Sequence, residues 1–293
     1  MTAQMQGALR GSVHRFVLGE MEITSVLDGA FPMGISPPFM LDKSAEDIEQ
    51  IAKNANLPTD RLENNFVPVI VNTGDALVLI DTGFGKSKRD GGAGHLRPLL
   101  KEAGYAPEDI DIVFITHAHP DHIGGLWEDD NLAFPNAQLM IGRKEFEAWE
   151  SGDGIPDQRT ENRAMFIKIV APLKEQFRFL EDGDEIATGV TAEAAFGHSP
   201  GHMMVRVKSA GKQALIWSDL ANHYVFSVEH PSSVVGFDDD KEMAIATRNR
   251  VLSETADGGV LVVGHHMPFP SVGYVQRNGD SYRWVPAAYQ LRI

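Results

Sequence analysis

Short hydrophobic runs alternate with amphipathic stretches along the whole chain. Apolar, β-branched runs flank the turn residues Gly19-Glu20 and Gly74-Asp75, which predicts two strand pairs, residues 13–29 and 64–83. Similar runs predict further strands at residues 111–117, 137–142, 191–198, 203–209, 213–220 and 259–266. The last of these is expected to be the final core strand. Residues 31–40 contain three prolines and are expected to form an ordered loop.

Stretches with helical periodicity lie between these strands. Residues 44–56 begin with the N-cap candidate Ser44, have acidic residues in the first turn, and continue with apolar residues at helical spacing. The other predicted helices cover residues 94–104, 143–150, 160–175 and 239–258. Asp238–Asp240 precede the last of these, where negative charge suits the helix dipole. Mixed strands and helices predict one α/β domain over residues 1–293, with residues 1–13 as a flexible N-terminal segment.

The most distinctive segment is THAHPDH, which directly follows a predicted buried strand. His117 and His119 point the same way if the chain stays extended. Pro120 then bends the path, so Asp121 and His122 can face a neighbouring point. One segment can therefore supply two ligands to each of two adjacent metal ions. Imidazole and carboxylate suit zinc and related divalent ions.

Two metal ions need more ligands than one segment offers. Other side chains of ligand type follow predicted strands at His198, Asp219 and the pair His265-His266. Strand ends on one rim of a sheet are where α/β proteins place their sites. We predict that one metal is bound by His117, His119 and His198, and the other by Asp121, His122 and either His265 or His266, with Asp219 as a bridge.

These motifs together resemble the metallo-β-lactamase superfamily. The resemblance extends over residues 14–290 and rests on HAHPDH, GHSPGH, the DTG at residues 81–83, and the Asp and late His at strand ends. FITHAHPDHIGGL followed by LAFPNAQL, RKEFEAW, HHMPFPSVG and YRWVPAAY resemble the methyl parathion hydrolase-like branch, which is related to bacterial lactonases. The resemblance implies an αββα sandwich of two mixed sheets flanked by helices, with a dinuclear metal centre between the sheets.

The resemblance also implies residue roles and an activity. In this branch the final ligand His stands three residues before Phe-Pro, which selects His266 over His265. The implied enzyme is a hydrolase with two divalent metal ions. Zinc is the expected ion, and Mn, Fe and Co are the alternatives. Its metal-bridging hydroxide cleaves an ester, lactone or phosphotriester bond. Asp121 and Asp219 are the implied catalytic carboxylates, and Asp81 is a candidate acceptor for a ligand imidazole.

A largely apolar wall is expected around the substrate. The predicted substrate-contacting residues are Phe39, Phe66, Phe84, Trp149 and Asn222. The spacing of Trp149 from Phe146 fits core packing equally well. Asn222 stands where quorum-signal lactonases tend to carry Tyr, three residues after the bridging Asp. This departure argues against an enzyme specialised for acyl-homoserine lactones, but not against ester or lactone hydrolysis.

The amino-acid composition of the chain excludes several classes of function. The 293 residues include no Cys, which excludes a disulfide scaffold, a thiolate metal site and a Cys nucleophile, whereas 11 His remain. A net charge of −15 argues against binding nucleic acid. The apolar runs are far shorter than the ~18–20 residues of a membrane span. With no signal peptide visible, we expect a cytoplasmic enzyme that acts on a small molecule. The family resemblance also implies that the protein forms a homodimer.

Two alternatives stay open at this point. A mononuclear iron dioxygenase with a sulfur substrate can use the same fold, and it needs only two His and one Asp as ligands. A β-lactam or thioester hydrolase would use the same metal ligands on a different bond.

Overall fold

The computed structural model describes residues 4–5, 9–36 and 38–293. Residues 1–3 and 6–8 of the predicted flexible segment lie outside this part, and so does Pro37 in the proline-rich segment. Within the described residues, no helix has the length and apolar character that a membrane crossing requires.

Eighteen strands and six α-helices make up the regular structure of the described residues. The strands are β1 (Val13–Leu18), β2 (Met21–Val26), β3 (Gly29–Met33), β4 (Leu62–Phe66), β5 (Val69–Asn72), β6 (Leu77–Ile80), β7 (Ile112–Ile115), β8 (Trp127–Glu128), β9 (Asn131–Leu132), β10 (Gln138–Gly142), β11 (Phe177–Leu180), β12 (Glu185–Ala187), β13 (Val190–Ala194), β14 (Met203–Ser209), β15 (Lys212–Ser218), β16 (Leu261–Gly264), β17 (Val272–Asn278) and β18 (Ser281–Pro286). The helices are α1 (Ala45–Asn54), α2 (Leu96–Leu99), α3 (Pro120–Ile123), α4 (Arg143–Ser151), α5 (Thr160–Ile169) and α6 (Lys241–Gly258).

The first large sheet has the strand order β1-β2-β5-β6-β7-β10-β11. Its first four strands pair antiparallel, whereas β6, β7, β10 and β11 run parallel. The carboxyl ends of parallel strands meet at one edge of a sheet. The turn after β6 and the THAHPDH segment after β7 therefore lie side by side.

The second large sheet has the order β12-β13-β14-β15-β16-β17-β18. All its neighbours are antiparallel except β15 and β16, which run parallel. Asp219 follows β15, and His265 follows β16, so both lie at the same edge. The antiparallel course through β13, β14 and β15 brings the loop after β13, with His198, to that edge as well.

The two sheets face each other across a buried apolar layer. Phe114 and Ile80 of the first sheet and Val205, Ile216 and Val263 of the second belong to this layer, and all five are at most 2% exposed. α4 and α5 cover the outer face of the first sheet, and α6 covers that of the second. The predicted αββα sandwich of two mixed sheets is confirmed.

Local sequence explains where the helices begin. The Ser44 side chain accepts a hydrogen bond from Asp47 N, so the predicted N-cap of α1 is confirmed. Asp240 caps α6 by accepting from Met243 N. The predicted helix over residues 160–175 is too long: α5 ends at Ile169 and a 3-10 turn follows. Pro172 explains the break, because it lacks the N–H that an α-helix needs.

Three other expectations were wrong in part. The proline-rich segment is not all loop, because Gly29–Met33 forms β3 and pairs with β4. The predicted helix over residues 94–104 is α-helical only at Leu96–Leu99. Residues 259–266 do not hold the last strand of the core, because β17 and β18 complete the second sheet after it.

Candidate metal centre

The imidazoles of His117, His119 and His198 converge at the seam between the sheets. His119 Nδ1 lies 3.0 Å from both His117 Nε2 and His198 Nε2. All three side chains are buried. His117 and His119 reach this point because the chain stays extended up to His119, with Pro120 as the first residue of α3. The extended backbone predicted up to His119 is therefore observed.

A second group lies beside the first and contains Asp121, His122, His265 and His266. Asp121 Oδ2 is 3.3 Å from His122 Nε2, 3.6 Å from His266 Nε2 and 3.8 Å from His265 Nε2. Their ligand-type atoms lie within 4.8 Å of one another. Both His residues of the HH pair therefore reach this group.

Asp219 lies between the two groups. Its Oδ2 is 3.3 Å from His198 Nε2 and 2.8 Å from His266 Nε2, while its Oδ1 is 3.2 Å from His122 Nε2. One carboxylate thus touches a His of each group, which is the placement that a bridging ligand requires.

Three of the candidate ligand histidines have their outward nitrogen held by a protein group. His122 Nδ1 donates to Asp81 Oδ2 at 2.8 Å, and His198 Nδ1 donates to Asp238 Oδ1 at 2.9 Å. His266 Nδ1 donates to the Asn65 carbonyl oxygen at 2.8 Å. Such contacts fix the tautomer and leave Nε2 to face inward. Asp81 therefore occupies the place expected for it.

Asp238 is itself part of a buried ion pair. Arg248 Nη2 donates to Asp238 Oδ2 at 2.5 Å, and neither side chain is more than 1% exposed. Burial alone would raise the pKa of Asp238, but the hydrogen bond from His198 and the charge of Arg248 outweigh it and lower that pKa. Asp238 therefore carries a negative charge behind His198.

Sequence reasoning missed this pair and a second buried carboxylate, Glu145. Its Oε1 accepts from Ala118 N, Trp149 Nε1 and Ser199 Oγ, and its Oε2 accepts from Gly201 N. Burial raises the pKa of Glu145, and its donors oppose that rise. Glu145 thereby joins the segment that carries His117 to the loop that carries His198. Only its place on the buried side of α4 hinted at such a role.

The electrostatics of the cluster fit bound cations. Burial lowers the pKa of His117 and His119, that of His119 to about 4, so both rings are neutral at neutral pH and offer lone pairs. Burial would also lower the pKa of His122, but the carboxylates of Asp81, Asp121 and Asp219 raise it.

Unsatisfied atoms support the same fit. His122 Nε2 and Asp219 Oδ1 are buried at the cluster without a hydrogen-bond partner. Buried polar groups are normally satisfied. Divalent cations between the two groups would satisfy these atoms, and His and Asp donors suit such cations. The residues present therefore fit two divalent metal ions.

A cavity of about 290 Å³ opens onto this cluster. Of the predicted substrate-contacting residues, Phe66, Phe84 and Asn222 line it. Phe39 and Trp149 do not, and this expectation is corrected: both are fully buried in apolar packing. The Trp149 indole is held from behind the cluster by Glu145 and Ser199.

The remaining histidines lie outside both groups. His202 Nδ1 donates to Ala195 O, and its Nε2 accepts from Asp219 N, as expected for a residue that supports the turn. His223 Nδ1 accepts from Val225 N and Phe226 N and so caps the turn that follows it.

Similar proteins of known sequence share about half of their length with this chain. An N-acyl homoserine lactonase of Bacillus cereus is 28% identical over 153 residues, which cover 52% of this chain and 54% of the relative. A probable metallo-hydrolase of Mycobacterium tuberculosis is 28% identical over 179 residues, which cover 53% and 56%.

Two solved structures match almost the whole chain. AidC, a dizinc quorum-quenching lactonase in complex with a product, has a TM-score of 0.88 at 25% identity and covers 94% of this chain and 97% of its own. The hydrolase AbOPH, of the β-lactamase superfamily, has a TM-score of 0.86 at 26% identity and covers 96% and 99%.

The sequence profile of one family covers most of the segment that holds the candidate ligands. The profile of the metallo-β-lactamase superfamily matches residues 66–265, which is more than half of the chain. The matched range includes the THAHPDH segment, His198 and Asp219, and it ends one residue before His266. This chain therefore belongs to the metallo-β-lactamase superfamily.

Proposed function

We propose that this protein is a dinuclear metal-dependent hydrolase of lactones or carboxylic esters. The observation that carries the proposal is the pair of ligand groups that share Asp219 at the floor of a cavity. In this assignment His117, His119 and His198 would hold one metal ion, Asp121, His122 and His266 would hold the other, and Asp219 would be shared between them.

His266 is preferred to His265 as the last ligand for two reasons. His266 Nδ1 is anchored on the Asn65 carbonyl oxygen, and its Nε2 reaches both Asp219 and Asp121. His266 also lines the cavity. His265 instead packs its ring against His122, with centroids 4.2 Å apart.

The two carboxylates at the floor of the cavity, Asp219 and Asp121, have different roles. Two divalent cations, when held by these residues, would lower the pKa of a water molecule towards ~7 and polarise the carbonyl oxygen of the substrate. Asp219 balances charge on both sides and accepts a hydrogen bond from Asn222 Nδ2 at 3.3 Å. Asp121 is 13% exposed and lines the cavity, so it can carry a proton to the leaving oxygen.

The cavity wall supports a carbon ester rather than a large polar substrate. Phe31, Met33, Phe66, Phe84 and Phe237 contribute apolar surface to it. A lactone ring or short ester with an apolar substituent fits about 290 Å³. The names of the lactonase relatives point the same way.

The open alternatives predict different chemistry at this cluster. A mononuclear iron dioxygenase would leave Asp121, His122 and His266 without a role, although they form a complete second group. Phosphotriester, β-lactam or thioester hydrolysis would use the same residues, so these substrates belong in the test.

The test is a hydrolysis panel on protein of measured metal content. It includes a γ-lactone, an aryl ester, a phosphotriester, a β-lactam and a thioester. We expect lactone or ester turnover that rises with metal content up to two ions per chain. His119→Ala should abolish it, whereas the control His230→Ala, outside both groups, should not. Full turnover after metal removal, or oxygen uptake by a one-iron protein, would contradict the proposal.

We propose zinc as the resident metal, because imidazole and carboxylate ligands suit it and because AidC is described as dizinc. The single domain, the homodimer, the cytoplasmic location and the lack of nucleic-acid binding stay predictions.

A further inference from the structure

The cavity has an aromatic side, which adjoins the second ligand group. Phe31, Phe66 and Phe84 form a cluster with ring centroids 4.7–5.4 Å apart. The Phe66 ring lies 5.5 Å from that of His266. We call these three phenylalanines the aromatic wall. An apolar part of a substrate gains most by packing there.

A cationic side chain lies beside the first ligand group instead. Arg159 is the only Arg or Lys that lines the cavity within the described part of the chain. Its Nε donates to Asp239 Oδ1 at 2.8 Å, and its Nη2 donates to the Phe237 carbonyl oxygen. Asp239 Oδ2 is 3.6 Å from His119 Nε2. This chain of contacts places Arg159 near the first group.

The Arg159 guanidinium is fixed by hydrogen bonds to the protein, but it keeps one donor nitrogen for a ligand. Two of its nitrogens are bound to protein acceptors, and no contact among the described residues engages Nη1. The side chain is 13% exposed, so the guanidinium is largely shielded from bulk water. A planar, fixed donor of this kind recognises a carbonyl or carboxylate oxygen with little loss of side-chain entropy.

We propose that Arg159 is a specificity-determining residue that donates a hydrogen bond to a second oxygen acceptor on the substrate. The preferred substrates are then lactones or esters with an amide carbonyl or a carboxylate near the scissile bond and an apolar group elsewhere. The acceptor lies towards the first ligand group, and the apolar group packs on the aromatic wall. This inference rests on the proposed lactone or ester hydrolysis.

The experiment compares two substrates that differ only in the acceptor. One is a γ-butyrolactone with an acylamino substituent, and the other is a γ-butyrolactone with an alkyl chain of the same length. For Arg159→Met we expect kcat/KM to fall about 10- to 100-fold on the acylamino lactone, mostly through KM, as loss of a charge-assisted hydrogen bond predicts. The alkyl lactone should change less than about 3-fold.

Two further variants separate recognition from support of the site. Arg159→Lys keeps the ion pair with Asp239 but loses the planar fork, so it should retain the metal content and still lose preference for the acylamino lactone. Arg143→Met removes an exposed Arg outside the cavity and should change neither substrate. Metal content and melting temperature are measured for every variant.

Each outcome either supports or contradicts the role proposed for Arg159. Equal losses on both lactones in Arg159→Lys, with the metals retained, would show that Arg159 only supports the site, and the inference would be wrong. If the metal-loaded parent hydrolyses neither these lactones nor the aryl ester of the panel, the proposed function fails. Calorimetric binding of the two lactones then tests Arg159 alone, because only the acylamino lactone should bind more weakly to Arg159→Lys.

Discussion

The buried pair of Arg248 and Asp238 allows a sharp test of how the site is supported. Arg248 is fully buried on α6 and donates to Asp238 and to the carbonyl oxygens of Leu220, Pro231 and Ser233. Arg248→Met keeps much of the volume but leaves a buried carboxylate and three carbonyl groups without their donor. Breaking a buried ion pair in this way costs about 3–5 kcal/mol.

This cost should appear in thermal unfolding of the metal-loaded protein. At about 2 °C per kcal/mol for a chain of this size, Arg248→Met should lower the melting temperature by about 6–10 °C. The matched control is Arg250→Met on the same helix, where an exposed pair with Glu254 should contribute less than about 1 kcal/mol. The double change Arg248→Met with Asp238→Asn should recover part of the loss, because it removes the unpaired charge and keeps an acceptor for His198.

The pH dependence gives a second measurement. The pKa of Asp238 is lowered in the folded state, so its stabilisation is present above the unfolded pKa and is lost as pH falls through the folded pKa. Without Arg248 that folded pKa rises, so the loss should begin at higher pH. If Arg248→Met melts within about 2 °C of Arg250→Met at every pH, the buried pair does not stabilise the fold, and the expected cost of breaking it is contradicted.

Three other predictions follow from the site. Glu145→Ala removes the carboxylate that accepts from four buried donors and should lower stability by about 3 kcal/mol or more, measured by urea unfolding, whereas Glu147→Ala on the exposed side of the same helix should be nearly neutral. His119→Ala and Asp121→Ala should each bind one metal ion fewer per chain by elemental analysis; two ions in either variant would contradict the ligand assignment. Removal of metal by a chelator should lower the melting temperature, and restored zinc should recover it, because a ligand of the folded state stabilises it.

The metal-binding segment could be predicted from sequence because its geometry is local. The extended backbone up to His119 and the turn that begins at Pro120 both follow from residues next to each other in the chain. The groups behind the ligands could not be predicted in this way. Asp238 contacts His198 across 40 positions, and Glu145 contacts Ala118 across 27, so no spacing rule connects them.

Asp238–Asp240 illustrate this limit in three consecutive residues. The sequence predicts all three as favourable charges before α6. Only Asp240 acts as a helix cap, while Asp238 turns back to His198 and Asp239 pairs with Arg159. Phe39 and Trp149 illustrate a related limit. Both are expected at the substrate but lie in the core, because an apolar side chain in the sequence fits a cavity wall and a buried core equally well.

Each candidate metal site draws its ligands from both layers of the sandwich. In the first group, His117 and His119 follow a strand of the first sheet, whereas His198 belongs to a loop of the second. In the second group, Asp121 and His122 come from the first sheet and His266 from the second. Metal affinity and the packing of the two layers are therefore thermodynamically linked, and the linkage is reciprocal. A substitution in the apolar layer between the sheets, at Ile216 or Val263 for example, should weaken metal binding without touching a ligand. The hydrophobic core thus acts as a spacer that sets the distance between the two halves of each coordination sphere.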